Sequence, residues 1–177
     1  TFAEDFCYQI RRSIEHLWVT SKSFCAMDIT FNTDNLLDFV QIAGGGLQLG
    51  GKTYASLGDT AGFDRTDSFS YGGWVRGAST GAIVSRMDDS ADYRGWDVYL
   101  SGGHVEVHMI HSWPDNAMYV KSVGKLPTDK WTHVFVSYDG SSRVDGISLY
   151  FNGQKQEVGS TRDSLSGTIR TDKPLHL

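Results

Sequence analysis

Residues 97–111, DVYLSGGHVEVHMIH, alternate apolar and polar side chains on both sides of a glycine pair. A Gly-Gly pair between two alternating runs is typical of a two-residue β-hairpin turn. With Gly102 and Gly103 as the turn, the predicted register places Asp97 opposite His108. A shift of this register by one residue would exchange the buried and the outward-facing side chains, so the turn decides which face joins the core.

Side chains of a strand point to opposite faces in turn, so the hairpin separates into two sets. The predicted core set is Trp96, Val98, Leu100, Val105, Val107 and Met109. The set predicted for the opposite face is Asp97, Tyr99, His104, Glu106 and His108. The second set forms a polar surface, for which contact with solvent and contact with a ligand are the two alternatives.

Composition argues against two classes of partner. The formal net charge of −5 leaves no basic footprint for nucleic acid. No run of apolar residues approaches the length of a membrane-spanning helix, so no membrane insertion is expected. Twenty glycines against three prolines indicate many tight turns, and an aromatic content of 12% favours strands. A length of 177 residues suits one main domain.

The first segment, residues 1–24, has a different pattern from the rest of the chain. Phe2, Phe6, Ile10 and Ile14 recur at every fourth position, which predicts an N-terminal amphipathic helix. The chain begins without a methionine, so we expect a processed product or a piece of a longer protein.

Two cysteines, Cys7 and Cys25, leave the redox compartment open. They are too few to hold a structural zinc ion without other ligands. A disulfide between them and a pair of unbridged buried thiols are both compatible with the sequence.

After this segment the sequence predicts short strands separated by turn signals. Asn-Gly at 152–153, between ISLYF and QKQEV, is typical of a type I′ hairpin. Many short strands with regular turns predict an all-β, antiparallel β-sandwich. The predicted strands are residues 27–31, 46–49, 55–57, 68–76, 81–87, 96–101, 104–111, 117–121, 131–138, 147–151 and 154–158.

Five successive stretches resemble the strands of a laminin G-like, concanavalin A-like jelly roll. They are GLQLGGKTYASLGD, DSFSYGGWVRG, GAIVSRMDD, WTHVFVSYDGSS and ISLYFNGQ, in an order that matches across residues 46–158. The elements FS…W, W.HV…YDG and Y.NG carry most of the resemblance. A closer similarity is to laminin G-like modules in large secreted bacterial proteins of the planctomycete type.

This resemblance implies a sandwich at residues 25–177 that follows the N-terminal helical segment. It implies a non-catalytic, carbohydrate-recognising accessory domain of a larger extracytoplasmic protein, periplasmic or secreted. Such modules usually add a strand after a stretch like TDKPLHL, so this sandwich is expected to lack its final strand. We expect the open sheet edge to be covered by the N-terminal helix or by a second copy of the chain.

The polar face and the loop beyond it supply the candidate binding residues. Tyr and Trp offer flat apolar faces to a sugar, and the polar side chains offer hydrogen bonds. Pro114 favours a turn that projects Trp113 from the strand end. The candidates are Arg86, Asp97, Tyr99, Glu106, His108, His111, Trp113, Asp115 and Asn116. A solvated sheet face without a ligand, and a Trp113 that covers the core, are the alternatives.

A metal site is not favoured by the spacing of the ligands. Side chains at i and i+2 of a strand lie about 7 Å apart, so His104, Glu106 and His108 converge poorly on zinc. The loop DDSAD offers Asp88, Asp89 and Asp92 to calcium, but a solvated acidic turn explains it equally and is preferred. No cofactor is expected.

A binding module is therefore favoured over an enzyme, with a glycan or a protein surface as the partner. Glycoside hydrolysis by Glu106 and Asp97 is the runner-up, because these enzymes use two carboxylates across the scissile bond. A purely structural or protein-interaction module is the third hypothesis.

Overall fold

In the computed structural model, the residues described are 30–32, 41–43, 46–49, 53–77 and 80–177. They form an antiparallel sandwich of a five-stranded and a four-stranded sheet, which confirms the predicted all-β fold. The predicted helix at 1–24 and both cysteines lie outside the described residues. No helix in the described part of the chain has the length and apolarity that crossing a membrane requires.

Thirteen strands are present among the described residues, and two 3₁₀ turns at Asp89–Ala91 and Val144–Gly146 interrupt them. The larger sheet has the order β13-β9-β8-β7-β6, and the smaller sheet has the order β12-β11-β10-β5. β1 pairs with β4, and β2 pairs with β3. The strands are β1 Thr30–Asn32, β2 Gln41–Ala43, β3 Gly46–Gln48, β4 Tyr54–Ser56, β5 Phe69–Val75, β6 Gly81–Asp88, β7 Arg94–Ser101, β8 His104–Ser112, β9 Asn116–Lys125, β10 Thr132–Tyr138, β11 Ile147–Phe151, β12 Gln154–Lys155 and β13 Val158–Asp163.

The hairpin register predicted from the glycine pair is confirmed. β7 and β8 pair Asp97 with His108 and Tyr99 with Glu106. The turn residues have φ angles of +58° at 102 and +85° at 103, which a two-residue type I′ turn requires and glycine adopts without strain.

The core lies between the two sheets and contains the predicted hairpin set. Trp96, Val98, Leu100, Val105, Val107 and Met109 are all buried. From the smaller sheet, the Tyr71 ring stacks on Trp96 with centroids 4.8 Å apart. Each fully buried large apolar side chain stabilises the fold by about 1.5–3 kcal/mol, so the alternation of the hairpin contributes substantially to holding the sheets together.

The last three residues, 175–177, lie between β4 and β6. Leu177 exchanges two backbone hydrogen bonds with Ala55, of 3.0 and 2.9 Å, and His176 exchanges two with Ser85, of 2.9 and 2.8 Å. These bonds extend the larger sheet from β6 towards β4 and β1. The expectation that the sandwich lacks its final strand stays a prediction.

Several predicted strands differ from those in the structure. The predicted strand at 154–158 is divided, because β12 ends at Lys155 and β13 begins at Val158. β2 and most of β13 were not predicted, since their residues alternate weakly in polarity.

Gly95 in β7 provides a test of this packing. A Cβ at Gly95 would lie 2.0 Å from the Arg86 carbonyl oxygen, and the φ of +142° disfavours any other residue. We expect Gly95→Ala to lower the free energy of unfolding by about 2 kcal/mol or more, measured by urea denaturation. The control is Gly159→Ala, because a Cβ at Gly159 meets nothing within 4 Å. Equal stability of the two variants would contradict the described packing of β7 against β6.

Candidate functional site

The polar hairpin residues lie on the outer face of the larger sheet, yet two of them are largely covered. Asp97 is 8% exposed and Glu106 is 9% exposed. The cover comes from neighbouring side chains on β8 and β9, because strand pairing places Lys121 beside Glu106 and Tyr119 beside His108. The face is therefore a compact network of polar groups and not an open solvated surface.

Asp97 and His108 form the first pair of this network. His108 Nδ1 lies 2.7 Å from Asp97 Oδ1, and both side chains are largely buried. Burial raises the pKa of the Asp97 carboxyl, although the hydrogen bond with His108 opposes the shift. The pair couples β7 to β8 across the sheet.

Glu106 forms the second part of the network. Lys121 Nζ donates a hydrogen bond of 2.8 Å to Glu106 Oε1, and His108 Nε2 lies 3.9 Å from Glu106 Oε2. Burial by itself would raise the pKa of Glu106, but the hydrogen bonds from Lys121 and Tyr119 outweigh it and lower the pKa. Burial and the hydrogen bond to Glu106 raise the pKa of Tyr119 to about 12. Glu106 is thus held ionised and Tyr119 is held as a hydrogen-bond donor.

Trp113 lies beside this network and not over the core. The rings of His108 and Tyr119 stack with centroids 4.9 Å apart, and the Trp113 ring stands nearly perpendicular to both, at 5.9 and 6.5 Å. The Arg162 guanidinium lies 5.8 Å from the centroid of the Trp113 ring, within the range of a cation–π contact. Trp113 remains 38% exposed, so an apolar surface borders the buried polar groups.

Arg86 does not join these residues. It lies opposite Trp96 on the inward side of β6, where it is 4% exposed. Its guanidinium contacts Asp59 at 2.6 Å and the carbonyl oxygens of Thr60 and Thr171. Arg86, a candidate binding residue, is therefore separated from the other candidates, because its side chain points inward from β6 and its guanidinium is held by Asp59, Thr60 and Thr171.

His111, Asn116 and Asp115 contact the segment 164–168 and not the network. His111 Nδ1 lies 2.8 Å from the Thr168 carbonyl, and the Asn116 side-chain oxygen accepts from the backbone of residues 166 and 167. The Asp115 carbonyl accepts from Ser164 Oγ at 2.8 Å. In the structure these candidates anchor a neighbouring segment.

The side chains considered as metal ligands from the sequence do not converge on a common point among the described residues. Asp88 accepts two hydrogen bonds from Ser90, of 3.0 and 2.6 Å, and caps the 3₁₀ turn of the acidic loop. His104 Nδ1 lies 2.9 Å from the Ser122 carbonyl, away from His108. No group of three His, Cys, Asp or Glu side chains among the described residues could hold a metal ion.

Three residues of the site were missed from the sequence. Lys121 and Tyr119 belong to a strand that was predicted, and its alternation carried the signal that they face outward together. The missing information was that this strand pairs with β8. Arg162 lies on the part of β13 that was not predicted, and no sequence signal identifies it.

The architecture defines the class of protein as an antiparallel jelly-roll sandwich of the laminin G type. Residues 49–177 match the laminin G family model that is described as the concanavalin A-like lectin/glucanases superfamily, so the chain belongs to this superfamily. The predicted family resemblance is confirmed. The superfamily includes both lectins and glucanases, so membership alone does not separate binding from hydrolysis.

Solved structures with a similar fold include the binding domain of Paraclostridial Mosquitocidal Protein 1, with a TM-score of 0.51 and 16% sequence identity over 70% of this chain. The match covers 32% of that chain, and at this identity it supports the fold only. No curated protein matches this sequence.

The raised pKa of Asp97 predicts a pH dependence of stability. The folded protein binds the Asp97 proton more tightly than the unfolded chain does, so this stabilisation is complete below the usual Asp value of 3.8 and is lost as pH rises through the folded pKa. In Asp97→Asn we expect the free energy of unfolding to rise more steeply with pH in this window than in the parent. Urea denaturation at a series of pH values measures it.

Glu106 serves as an internal reference in this experiment. Its lowered pKa contributes stability that is present above the unfolded value and is lost as pH falls through the folded pKa, and it is present in both proteins. The difference between the two curves reports the Asp97 carboxyl together with its coupling to His108 and Glu106. Parallel curves, or a shallower curve for the variant, would contradict a raised pKa.

Proposed function

We propose that this chain is a carbohydrate-recognising binding module that uses the outer face of the larger sheet. The site consists of Asp97, His108, Glu106 and Lys121 with Trp113 beside them. The observation that carries the proposal is the juxtaposition of a buried polar network and a 38%-exposed tryptophan. Membership of a superfamily that includes lectins supports it.

The geometry suits a sugar because its polar groups are already held in place. The Asp97–His108 and Glu106–Lys121 bonds, of 2.7 and 2.8 Å, fix four side chains before any ligand arrives. Such preorganisation lowers the entropic cost of binding. The Lys121 side chain is 37% exposed and has hydrogen-bond donors beyond the one that Glu106 uses, so it can bind a sugar hydroxyl.

Trp113 supplies the complementary apolar surface. A pyranose ring presents C–H groups on one face and hydroxyls around its edge, so it needs an aromatic ring beside polar groups. The Arg162 and His108 contacts restrain the indole orientation. Tyr99, which lies opposite Glu106 on the neighbouring strand, extends the same face.

The wider setting follows from the family resemblance. We propose an accessory domain of a larger extracytoplasmic protein, since laminin G-like modules resemble this chain in their strand order. Self-association through a sheet edge or through residues 1–24 stays a prediction. A protein surface is the alternative partner for the same site.

A glycan array with two variants tests the proposal. Glu106→Gln removes the charge that orders Lys121, and Trp113→Ala removes the stacking surface. We expect each variant to lose about tenfold or more in affinity for the glycans that the parent binds, as anchor residues of interfaces do. Trp74→Ala is the matched control for the neutral glycans of the array, because Trp74 is an exposed tryptophan on the other sheet.

The control decides how a loss of binding is interpreted. If Trp74→Ala loses neutral glycans as strongly as Trp113→Ala, the proposed site is wrong. A parent protein that binds no glycan on the array would also contradict the proposal. Thermal unfolding of each variant confirms that it is folded.

Glycoside hydrolysis is the second candidate function, and one observation favours it. The pKa values of Asp97 and Glu106 are shifted in opposite directions, as in acid and nucleophile pairs of glycosidases. The burial of Asp97 and its bond with His108 oppose this role, because a general acid must reach the glycosidic oxygen. We therefore expect no new reducing ends when the parent is incubated with the glycans it binds. If the parent releases reducing ends and both Asp97→Asn and Glu106→Gln abolish this release, hydrolysis is established.

A further inference from the structure

The outer face of the smaller sheet carries a row of four aromatic rings that the proposed site does not use. Strand pairing places Trp74 of β5 opposite His133 of β10, and Phe135 of β10 opposite Tyr150 of β11. The successive ring centroids are 5.3, 6.3 and 6.0 Å apart. We call Trp74, His133, Phe135 and Tyr150 the aromatic row. It crosses three neighbouring strands on the side of the molecule opposite the polar network.

The aromatic row packs against the sheet and is partly exposed to solvent. Trp74 is 50% exposed, and the other three rings are half-buried. Gly72 lies directly opposite Phe135, and a Cβ there would come within 2.9 Å of the Phe135 ring. The ring therefore rests against bare backbone. Asn152 accepts a hydrogen bond of 2.9 Å from the His133 backbone, which holds β10 at this edge.

The composition of this face differs from that of the inner face of the same strands. The inner side chains include Val134, Val136 and Leu149, which pack in the core. The alternation places no aliphatic side chain and no carboxylate on the outer side of the described strands β5, β10 and β11. The outer residues are Ser70, Gly72, Trp74, His133, Phe135, Ser137, Ser148 and Tyr150. Rings among hydroxyls suit the C–H and hydroxyl groups of sugars better than the aliphatic surface of a protein partner.

Two cations lie at the ends of the row. Lys155 of β12 pairs with Tyr150, and Arg76 follows Trp74 by two positions, so both are expected on the outer side. Both are exposed, and neither has an ion-pair partner among the described residues. With no carboxylate on the outer side of these strands, the charge complementary to this face is negative.

We infer that the aromatic row is a second binding surface and that its ligand is a linear polysaccharide bearing carboxylates, a polyuronate. The sugar rings stack along the row, and their carboxylates pair with Arg76 and Lys155. This surface is independent of the polar network on the other sheet. The chain thereby has two carbohydrate-binding faces with different ligand chemistry.

Other occupants fit this face less well. A second copy docked through the same face would bring Arg76 and Lys155 near cations of its partner, with no carboxylate on the outer side of the described strands of either copy to pair with them. A lipid surface would select aliphatic side chains that insert among acyl chains, and the described part of this face has none. A neutral polysaccharide would leave both cations without a counter-charge.

Affinity electrophoresis with polygalacturonate tests the inference, and its fully methyl-esterified form is the neutral control polymer. We expect the parent to be retarded by the acid polymer and much less by the ester. Trp74→Ala should weaken retention about tenfold. Lys155→Gln, a surface change that leaves folding intact, should weaken it less and reduce its dependence on salt. Trp113→Ala should be retained like the parent.

Each outcome separates this surface from the proposed site. If Trp113→Ala loses retention by polygalacturonate while Trp74→Ala keeps it, the inference is overturned. The binding site would then be the polar network. Equal retention by the acid and ester polymers would overturn the charge assignment. Three results would overturn the assignment of a polysaccharide ligand. They are an absence of retention, a dimer that Trp74→Ala dissociates, and binding of the protein to anionic vesicles. The array result with Trp113→Ala is unaffected by any of these, so the two proposals fail separately.

Discussion

The register of the β7–β8 hairpin is the constraint on which the rest of this structure depends. Because the side-chain period of a strand is two, the turn at Gly102 and Gly103 assigns every residue of both strands to one face. The inward set then packs against the smaller sheet through contacts such as Trp96 on Tyr71. A slip by one residue would place Glu106 in the core, with a large cost for a buried unpaired charge.

The same register gathers charged side chains that would be unfavourable apart. Asp97 and Glu106 are both largely buried, so each needs a partner, and the neighbouring strands supply His108 and Lys121. An ion pair in this setting adds little net stability, since desolvation offsets much of the attraction. Its contribution is to fix geometry. A fixed arrangement of polar groups is what the proposed binding site requires.

The sequence predicted the parts of the fold that local pattern determines. Alternation and the glycine turn were sufficient for β7 and β8, and Asn152-Gly153 marked the β11–β12 hairpin. The pairing of β9 with β8 depends on the long-range arrangement of strands, so Lys121 could not be assigned to the site. The sequence did not indicate which way Arg86 points, because an arginine at a strand end can face either side of the sheet. Its inward direction follows from its pairing opposite Trp96.

The two sheets present opposite chemistry on their outer faces, a closed polar network on one and an open aromatic row on the other. Each face follows from the residues that alternate outward along its strands. For the polar network this alternation is set by the register of the β7–β8 hairpin, so that register is the most direct measurement. Solution NMR should show cross-strand nuclear Overhauser contacts that pair Asp97 with His108 and Tyr99 with Glu106. Contacts displaced by one residue, pairing Asp97 with Val107, would contradict the account.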